Sequence, residues 1–434
     1  MSEVEKQTMQ KVTWRLVPFL VLCYFIAYLD RVNVGFANAT MSKDLGLTAA
    51  AFGGAAGIFF IAYFFFEVPS NLALNRFGAR LWVARIMFTW GLVSGAQAFV
   101  TGEWSFNIVR LLLGVAEAGF FPGIIFFLTL WFPSAYRARI VGMFMFAIPI
   151  STVIGSPISG VILNMEGIAG LHGWQWVFLL EAAPALLMTF GVLAYLTDRP
   201  SDAGWLAPEE RKWLQNRLDA ERANRELIVS KPWTEWIINP RVIALGVVYM
   251  ALNVPQYGLS FFLPQIVKAF GVSNVQAGFI TALPYLVGAF GMVLWGRHSD
   301  ATGERKWHVV IPFVAMLIGL GGASMISDPT FKIAVLCIAG WGFFSILPVF
   351  WTLPTAFLSG TGAAAGIAAV NSIGNLGGYF GPKMFGQLRD WSGGADSAGL
   401  IFLACSAVVG AVIVLALGHN PALEKPMEMA RPAQ

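Results

Sequence analysis

The sequence predicts an all-α polytopic membrane protein: twelve transmembrane helices in two six-helix repeat bundles. Three observations carry that expectation. Of 434 residues, 57% are hydrophobic and 12% charged, and the mean hydropathy is +0.68; a soluble domain has about 45 to 50% apolar and about 25% charged residues. Twelve apolar windows approach or exceed the roughly 20 residues that a helix needs to cross a bilayer. A polar loop pattern also recurs 225 positions further along the chain, from Gly78 to Gly303.

The first span, 16–38, reads "RLVPFLVLCYFIAYLDRVNVGFANA" and is interrupted by Asp30 and Arg31. It is too long, and lacks the small-residue site, for a cleavable leader. Spans 51–74 and 81–101 flank the turn "NLALNRFGAR", and span 104–132 contains Arg110 and Glu117. Spans 139–165 and 174–196 complete an N-terminal bundle, 1–196. A linker, 197–241, follows with eight basic and eight acidic residues, in which "PEERKWLQNRL" reads as a short amphipathic helix. The C-terminal bundle, 242–434, holds spans 242–267, 274–296, 309–327, 331–358, 363–388 and 398–418.

Basic residues set the expected orientation. With the N-terminus inside, the inner segments carry twenty of the 28 lysines and arginines, Lys425 and Arg431 among them, and the outer segments five. The positive-inside rule then puts both termini in the cytoplasm, and the basic pI reflects topology rather than nucleic-acid binding. Cys23, Cys337 and Cys405 stand singly in apolar runs, without disulfide or metal spacing.

The 225-residue offset pairs Gly78 with Gly303, Asn75 with Asp300 and Arg80 with Arg305, which points to duplication of a six-helix unit. In the second copy Gly296, Asp300, Gly303 and Arg305 match Gly-x3-Asp-x2-Gly-x-Arg. The first copy keeps Arg76, Gly78 and Arg80 but has Asn71 and Asn75 in place of glycine and aspartate. This loop signature resembles that of the major facilitator superfamily. The strings "YLDRVNVGFA", "EVPSNLALNRFGAR", "RLLLGVAEAGFFPG", "GWQWVFLLEAAPA" and "DAGWLAPEERKWL", in order, are similar to its anion:cation symporter branch, which includes carriers of hexonates, tartrate and phthalate. The resemblance implies a major facilitator fold and a monomeric carrier in a bacterial inner membrane that takes up a small organic anion with a proton. It implies proton coupling at Asp30 and Glu117, and substrate contact at Arg31, Arg110, Tyr63, Trp351 and Asn371.

The residues themselves point the same way. Ionised groups at mid-bilayer depth cost roughly 2.5 to 3.5 kcal/mol each on insertion scales, so they face polar cavities or one another. Asp30 and Glu117 lie about fourteen and thirteen residues into their spans, near the midplane at 1.5 Å per residue. The offset maps Asp30, Arg31, Arg110 and Glu117 onto Pro255, Gln256, Val335 and Gly342. The first half therefore carries fixed charge, and the second offers neutral groups: Asn253, Gln256, Tyr257, Trp351, Asn371 and Asn375. Glu67 and Glu181 read as structural hydrogen-bonding residues, and Arg85 as a snorkelling one.

The expected function is proton-coupled symport of a hydroxylated mono- or dicarboxylate such as tartrate or a sugar acid. The proton is the coupling ion and no other cofactor is implied. An aromatic carboxylate is the alternative substrate, and a drug/proton antiporter a less favoured one, because arginines suit anions. Enzymatic function is excluded: no nucleophile with its base, metal cluster or phosphate loop appears in the sequence.

Overall fold

The computed structural model describes residues 2–226, 238–357 and 361–417, and every regular element in them is helical. Part of the linker, together with Lys425 and Arg431 from the charge count, lies outside the described residues.

The first half begins with α1, Glu3–Asp44, capped by the Ser2 hydroxyl accepting from Glu5 N. At 42 residues it is about 63 Å long, so it starts well before the expected position 16. Helix α2, Ala49–Phe77, is capped by Thr48, and α3 spans Ala79–Ala96. The expected fourth span is two helices, α4 (Glu103–Glu117) and α5 (Phe120–Trp131), broken at Ala118 and Gly119. Gly119 takes φ +86°, which favours glycine, and a Cβ there would collide with the Ser70 hydroxyl. The fifth is likewise divided into α6, Ser134–Met145, and α7, Ala147–Ile162, and the sixth is α8, Gly173–Tyr195.

In the second half α10, Pro240–Lys268, α11, Asn274–Thr302, and α12, Lys306–Met325, follow the linker helix α9, Pro208–Glu226. The last three spans are α13 (Pro329–Phe350) with α14 (Thr352–Phe357), α15 (Thr361–Asn375) with α16 (Gly377–Trp391), and α17 (Ser397–Ala416).

Ten stretches among the described residues are long and apolar enough to cross a membrane. The other two expected spans are α3, diluted by Arg80 and Arg85, and the glycine- and asparagine-rich pair α15 and α16. Both are held by packing: α3 against α4 and α8, α15 against α10, and α16 against α2 and α10.

Helix α9 is docked onto the first half. It buries Leu214 and Leu218, joins Glu210 to Lys11 at 2.7 Å, and uses Glu221 to accept from the Ser134 backbone N–H at 3.1 Å.

At the end of the bundle remote from α9, the two halves of the chain meet through backbone-to-backbone approaches. A Cβ on Gly53 would strike the Pro382 carbonyl, one on Gly386 the Ala49 carbonyl, and one on Gly57 would lie 2.9 Å from the Tyr379 carbonyl. Asp390, in the last turn of α16, accepts from Ala49 N at 3.1 Å and Ala50 N at 2.8 Å, placing a carboxylate on the positive end of α2. Asn38 to Gln265 and Asn274 to Asn164 add cross-half hydrogen bonds at 3.2 and 3.0 Å.

Small residues make this seam close, because only they admit backbone contact between helices. Gly53→Val should wedge α2 from α16, whereas Gly54→Val, whose Cβ meets no atom within 4 Å, should not. A cysteine at Ala50 should accordingly label faster with an impermeant maleimide in the Gly53 variant only; equal labelling in both variants would contradict a closed seam.

Candidate functional site

A cavity lies between the halves. Helix α1 contributes Tyr24, Tyr28 and Arg31, spaced i, i+4, i+7 on one face; α2 contributes Phe59, Phe60 and Tyr63. Helix α10 supplies Tyr249, Asn253, Gln256 and Tyr257, and α15 supplies Asn371 and Asn375. The remaining wall is apolar, from Phe121, Met145, Ile148 and Leu347. The repeat offset holds within the cavity: 225 positions separate Tyr24 from Tyr249, Tyr28 from Asn253, and Arg31 from Gln256. The two repeats thus present corresponding faces to one space, with a guanidinium on one side where the other has an amide.

Polar groups cross the gap. The Tyr28 and Tyr257 hydroxyls lie 3.1 Å apart, Gln256 Nε2 donates to Tyr28 at 3.4 Å, and Arg31 Nη1 donates to the Tyr257 hydroxyl at 3.3 Å. The Arg31 guanidinium also lies 5.2 Å from the Tyr28 ring centroid and 5.3 Å from that of Phe59, a cation–π setting.

The charged groups are arranged differently from the sequence expectation. Arg31 is ion-paired through Nη2 with Glu117, not with its neighbour Asp30. Successive residues on a helix point about 100° apart, so Asp30 turns away from the cavity toward α3. There its carboxylate accepts from Trp90 Nε1 at 2.5 Å, from the Ser94 hydroxyl, and from Asn33 Nδ2 at 3.3 Å. Glu117 is the last residue of α4, where the helix dipole is negative, so the chain break beside it adds to its need for a cation. Arg31 is that cation.

Arg110 is fully buried behind the wall, donating from Nη2 to the Ala56 carbonyl at 2.9 Å with its guanidinium 5.1 Å from the Phe59 ring centroid. It does not line the cavity, and neither do Asp30, Glu117 or Trp351; the tryptophan packs on Tyr249 at 5.0 Å. Of the substrate-binding candidates, Arg31, Tyr63, Asn253, Gln256, Tyr257 and Asn371 do line it. Sequence reasoning missed Tyr24, Tyr28 and Tyr249, although the i, i+4, i+7 register with Arg31 and the repeat offset both lead to them.

The loop signatures occupy the α9 end. Gly78 and Gly303 have φ of +87° and +70°, a conformation that favours glycine. In the second copy Arg305 Nη1 bridges Asp300 at 2.7 Å and the Ser299 hydroxyl at 2.8 Å, while Gly296 leaves room for Pro348. In the first copy Asn75 reaches only the Asn71 carbonyl, and Asp198 supplies the missing carboxylate by accepting from Arg80 N at 2.8 Å. Arg76 lies over Phe77, and Arg85 over Trp82 at 4.0 Å. Glu181 accepts from the Ser159 hydroxyl at 2.5 Å, whereas Glu67 accepts from Asn371 at 2.9 Å across the two halves.

Residues 20–382 match the profile of the Major Facilitator Superfamily. A protein of Agrobacterium vitis named "Putative tartrate transporter" is 50% identical over 96% of this chain and 93% of its own length. The quinolone resistance transporter of Acinetobacter baumannii is 42% identical over 95% of this chain and 94% of its own, and the inner membrane transport protein RhmT of Escherichia coli is 40% identical over 94% of each. Two solved structures share the fold. A bacterial homologue of the human lysosomal transporter Spinster, inward-facing and unoccupied, gives a TM-score of 0.71 at 17% identity over 95% of this chain and 96% of that one. The xylose transporter XylE of E. coli, partially occluded and inward open, gives 0.72 at 16% identity over 94% and 99%. The chain is a membrane transport protein and belongs to the Major Facilitator Superfamily.

Proposed function

We propose that the protein is a proton-coupled importer of a small hydroxylated carboxylate, working by alternating access between its two six-helix units, 1–196 and 242–434, with both termini in the cytoplasm. The observation that carries this reading is Arg31, which faces the cavity while paired behind it with Glu117. A substrate carboxylate entering the cavity competes with Glu117 for the guanidinium, whose Nε makes no hydrogen bond. A bidentate carboxylate–guanidinium pairing is strong and geometrically selective. Once Arg31 turns toward the anion, Glu117 is a buried carboxylate with a weakened counter-ion, and it takes up a proton. Anion and proton then favour each other's binding, and the reciprocity of linkage makes this symport.

The rest of the lining supports a substrate rich in hydroxyls. Among the described residues, five tyrosines and four side-chain amides, Asn253, Gln256, Asn371 and Asn375, surround a single guanidinium. The arginine in the cavity suits one carboxylate of the substrate, and hydroxyls or a second carboxylate match the amides and tyrosine hydroxyls. The relative named for tartrate is consistent with such a ligand. Asp30 acts at one remove from the ligand, its carboxylate held outside the cavity by three donors. The closed seam between α2 and α16 is on the outer side in this orientation.

A second reading, drug export by proton antiport, draws on the relative named for quinolone resistance and on the aromatic walls. Arg31 disfavours it. In proteoliposomes, an inward proton gradient should accelerate uptake of L-tartrate or D-gluconate; acceleration by an outward gradient instead would favour the antiporter. Arg31→Lys, which loses the planar fork, should weaken carboxylate binding by about tenfold or more, read as loss of ligand-induced thermal stabilisation; wild-type stabilisation in that variant would remove Arg31 from the binding site. Glu117→Gln should retain tartrate counterflow but lose its response to the proton gradient; a response equal to wild type would exclude Glu117 as the proton carrier.

A further inference from the structure

We propose that Glu67 is a second proton-accepting group, positioned by Asn371 and set free when a substrate hydroxyl engages that amide; the proposal rests on the proton-coupled reading above. Glu67 lies on α2 at 4% exposure, one helical turn beyond the cavity residue Tyr63. One carboxylate oxygen accepts from Asn371 Nδ2 at 2.9 Å, and the other, Oε2, is buried without a hydrogen-bond partner. Asp30 shows what a satisfied buried carboxylate looks like in this protein, with three donors around it. Glu67 has one donor, and that donor belongs to the opposite half of the chain.

Asn371 therefore has two claims on it. It lines the cavity, where its amide is available to a ligand, and among the described residues it is the sole hydrogen-bond donor to Glu67. A ligand hydroxyl that draws the amide toward the cavity leaves Glu67 buried without a donor. Leaving a charged group in that condition costs far more than leaving a neutral one. A proton from the aqueous cavity then adds to a Glu67 oxygen, giving a neutral acid, and no covalent bond breaks in the protein or the ligand. The other ionisable groups facing Glu67 are the Tyr63 hydroxyl on its own helix and the Tyr249 hydroxyl of α10. Because the Glu67–Asn371 bond ties α2 to α15 across the two halves, its release also removes one restraint on their relative movement. Substrate arrival, proton uptake and loosening of the halves thus meet at one hydrogen bond.

The test is the pH dependence of L-tartrate affinity in the purified full-length protein, compared among wild type, Glu67→Gln and Glu67→Asp. Glutamine keeps a polar partner for Asn371 and cannot titrate; aspartate can. The expected result is that wild-type affinity falls as pH rises, that Glu67→Gln binds with a profile shallower by one proton, a difference of about tenfold per pH unit, and that Glu67→Asp restores part of the slope. A wild-type slope in Glu67→Gln, with the slope still altered in Glu117→Gln, overturns the role of Glu67 and leaves the coupling reading standing. A flat profile in the wild type overturns the coupling reading, and this proposal with it.

Discussion

The buried ion pair between Arg31 and Glu117 is the interaction around which the rest of the site is organised. Ionised side chains in the middle of a bilayer persist when they are paired or face water, and these two do both: Glu117 is enclosed, and Arg31 borders the cavity. The break between α4 and α5 sharpens the constraint, since it places a carboxylate at a helix C-terminus where the backbone already carries negative charge. A cation must stand opposite. The guanidinium that fills this role is also, among the described residues, the one positive group that lines the cavity, so electrostatic stability and ligand recognition draw on the same side chain.

The second constraint is geometric. The two halves approach so closely along α2 and α16 that backbone meets backbone at Gly53, Gly57 and Gly386. A seam of this kind has no gradual intermediate: it is packed or it is parted, and packed interfaces of small residues favour such two-position behaviour. Cross-half hydrogen bonds reinforce it at its end through Asp390 and Asn38, and nearer the cavity through Glu67. Helices α1, α2, α10 and α15 both line the cavity and carry contacts between halves, which is the arrangement needed if ligand binding is to bias their relative position.

Much of this was legible in the sequence because the bilayer imposes lengths and the duplication imposes a register. Composition and apolar windows give the helices, and the 225-residue offset relates Gly78 to Gly303 and, inside the cavity, Tyr24 to Tyr249. Three features were hidden for physical reasons. Depth along a helix says nothing of rotation about it, so the adjacency of Asp30 and Arg31 does not reveal that they face different neighbours. The break at Ala118 and Gly119 lies within an apolar stretch, where hydropathy does not change; Gly119 at positive φ and Pro122, which can neither donate to nor pack against the Ala118 carbonyl four residues back, account for it. Arg110 has the depth of a ligand-binding arginine, but its side chain turns behind α2 to the Ala56 carbonyl. In the linker, α9 reads as amphipathic in isolation, and its apolar face proves to be covered by the first half of the protein through Leu214 and Leu218.

The central claim is that anion binding at Arg31 transfers a proton to Glu117. Infrared difference spectroscopy of the reconstituted protein, recorded on adding L-tartrate, observes that event directly. A new carbonyl absorption of protonated carboxyl groups should appear, shift in deuterated buffer, and lose its Glu117 component in Glu117→Gln, leaving only the Glu67 component. A tartrate-bound spectrum with no such band, or with a band that survives the substitution unchanged, would contradict the account.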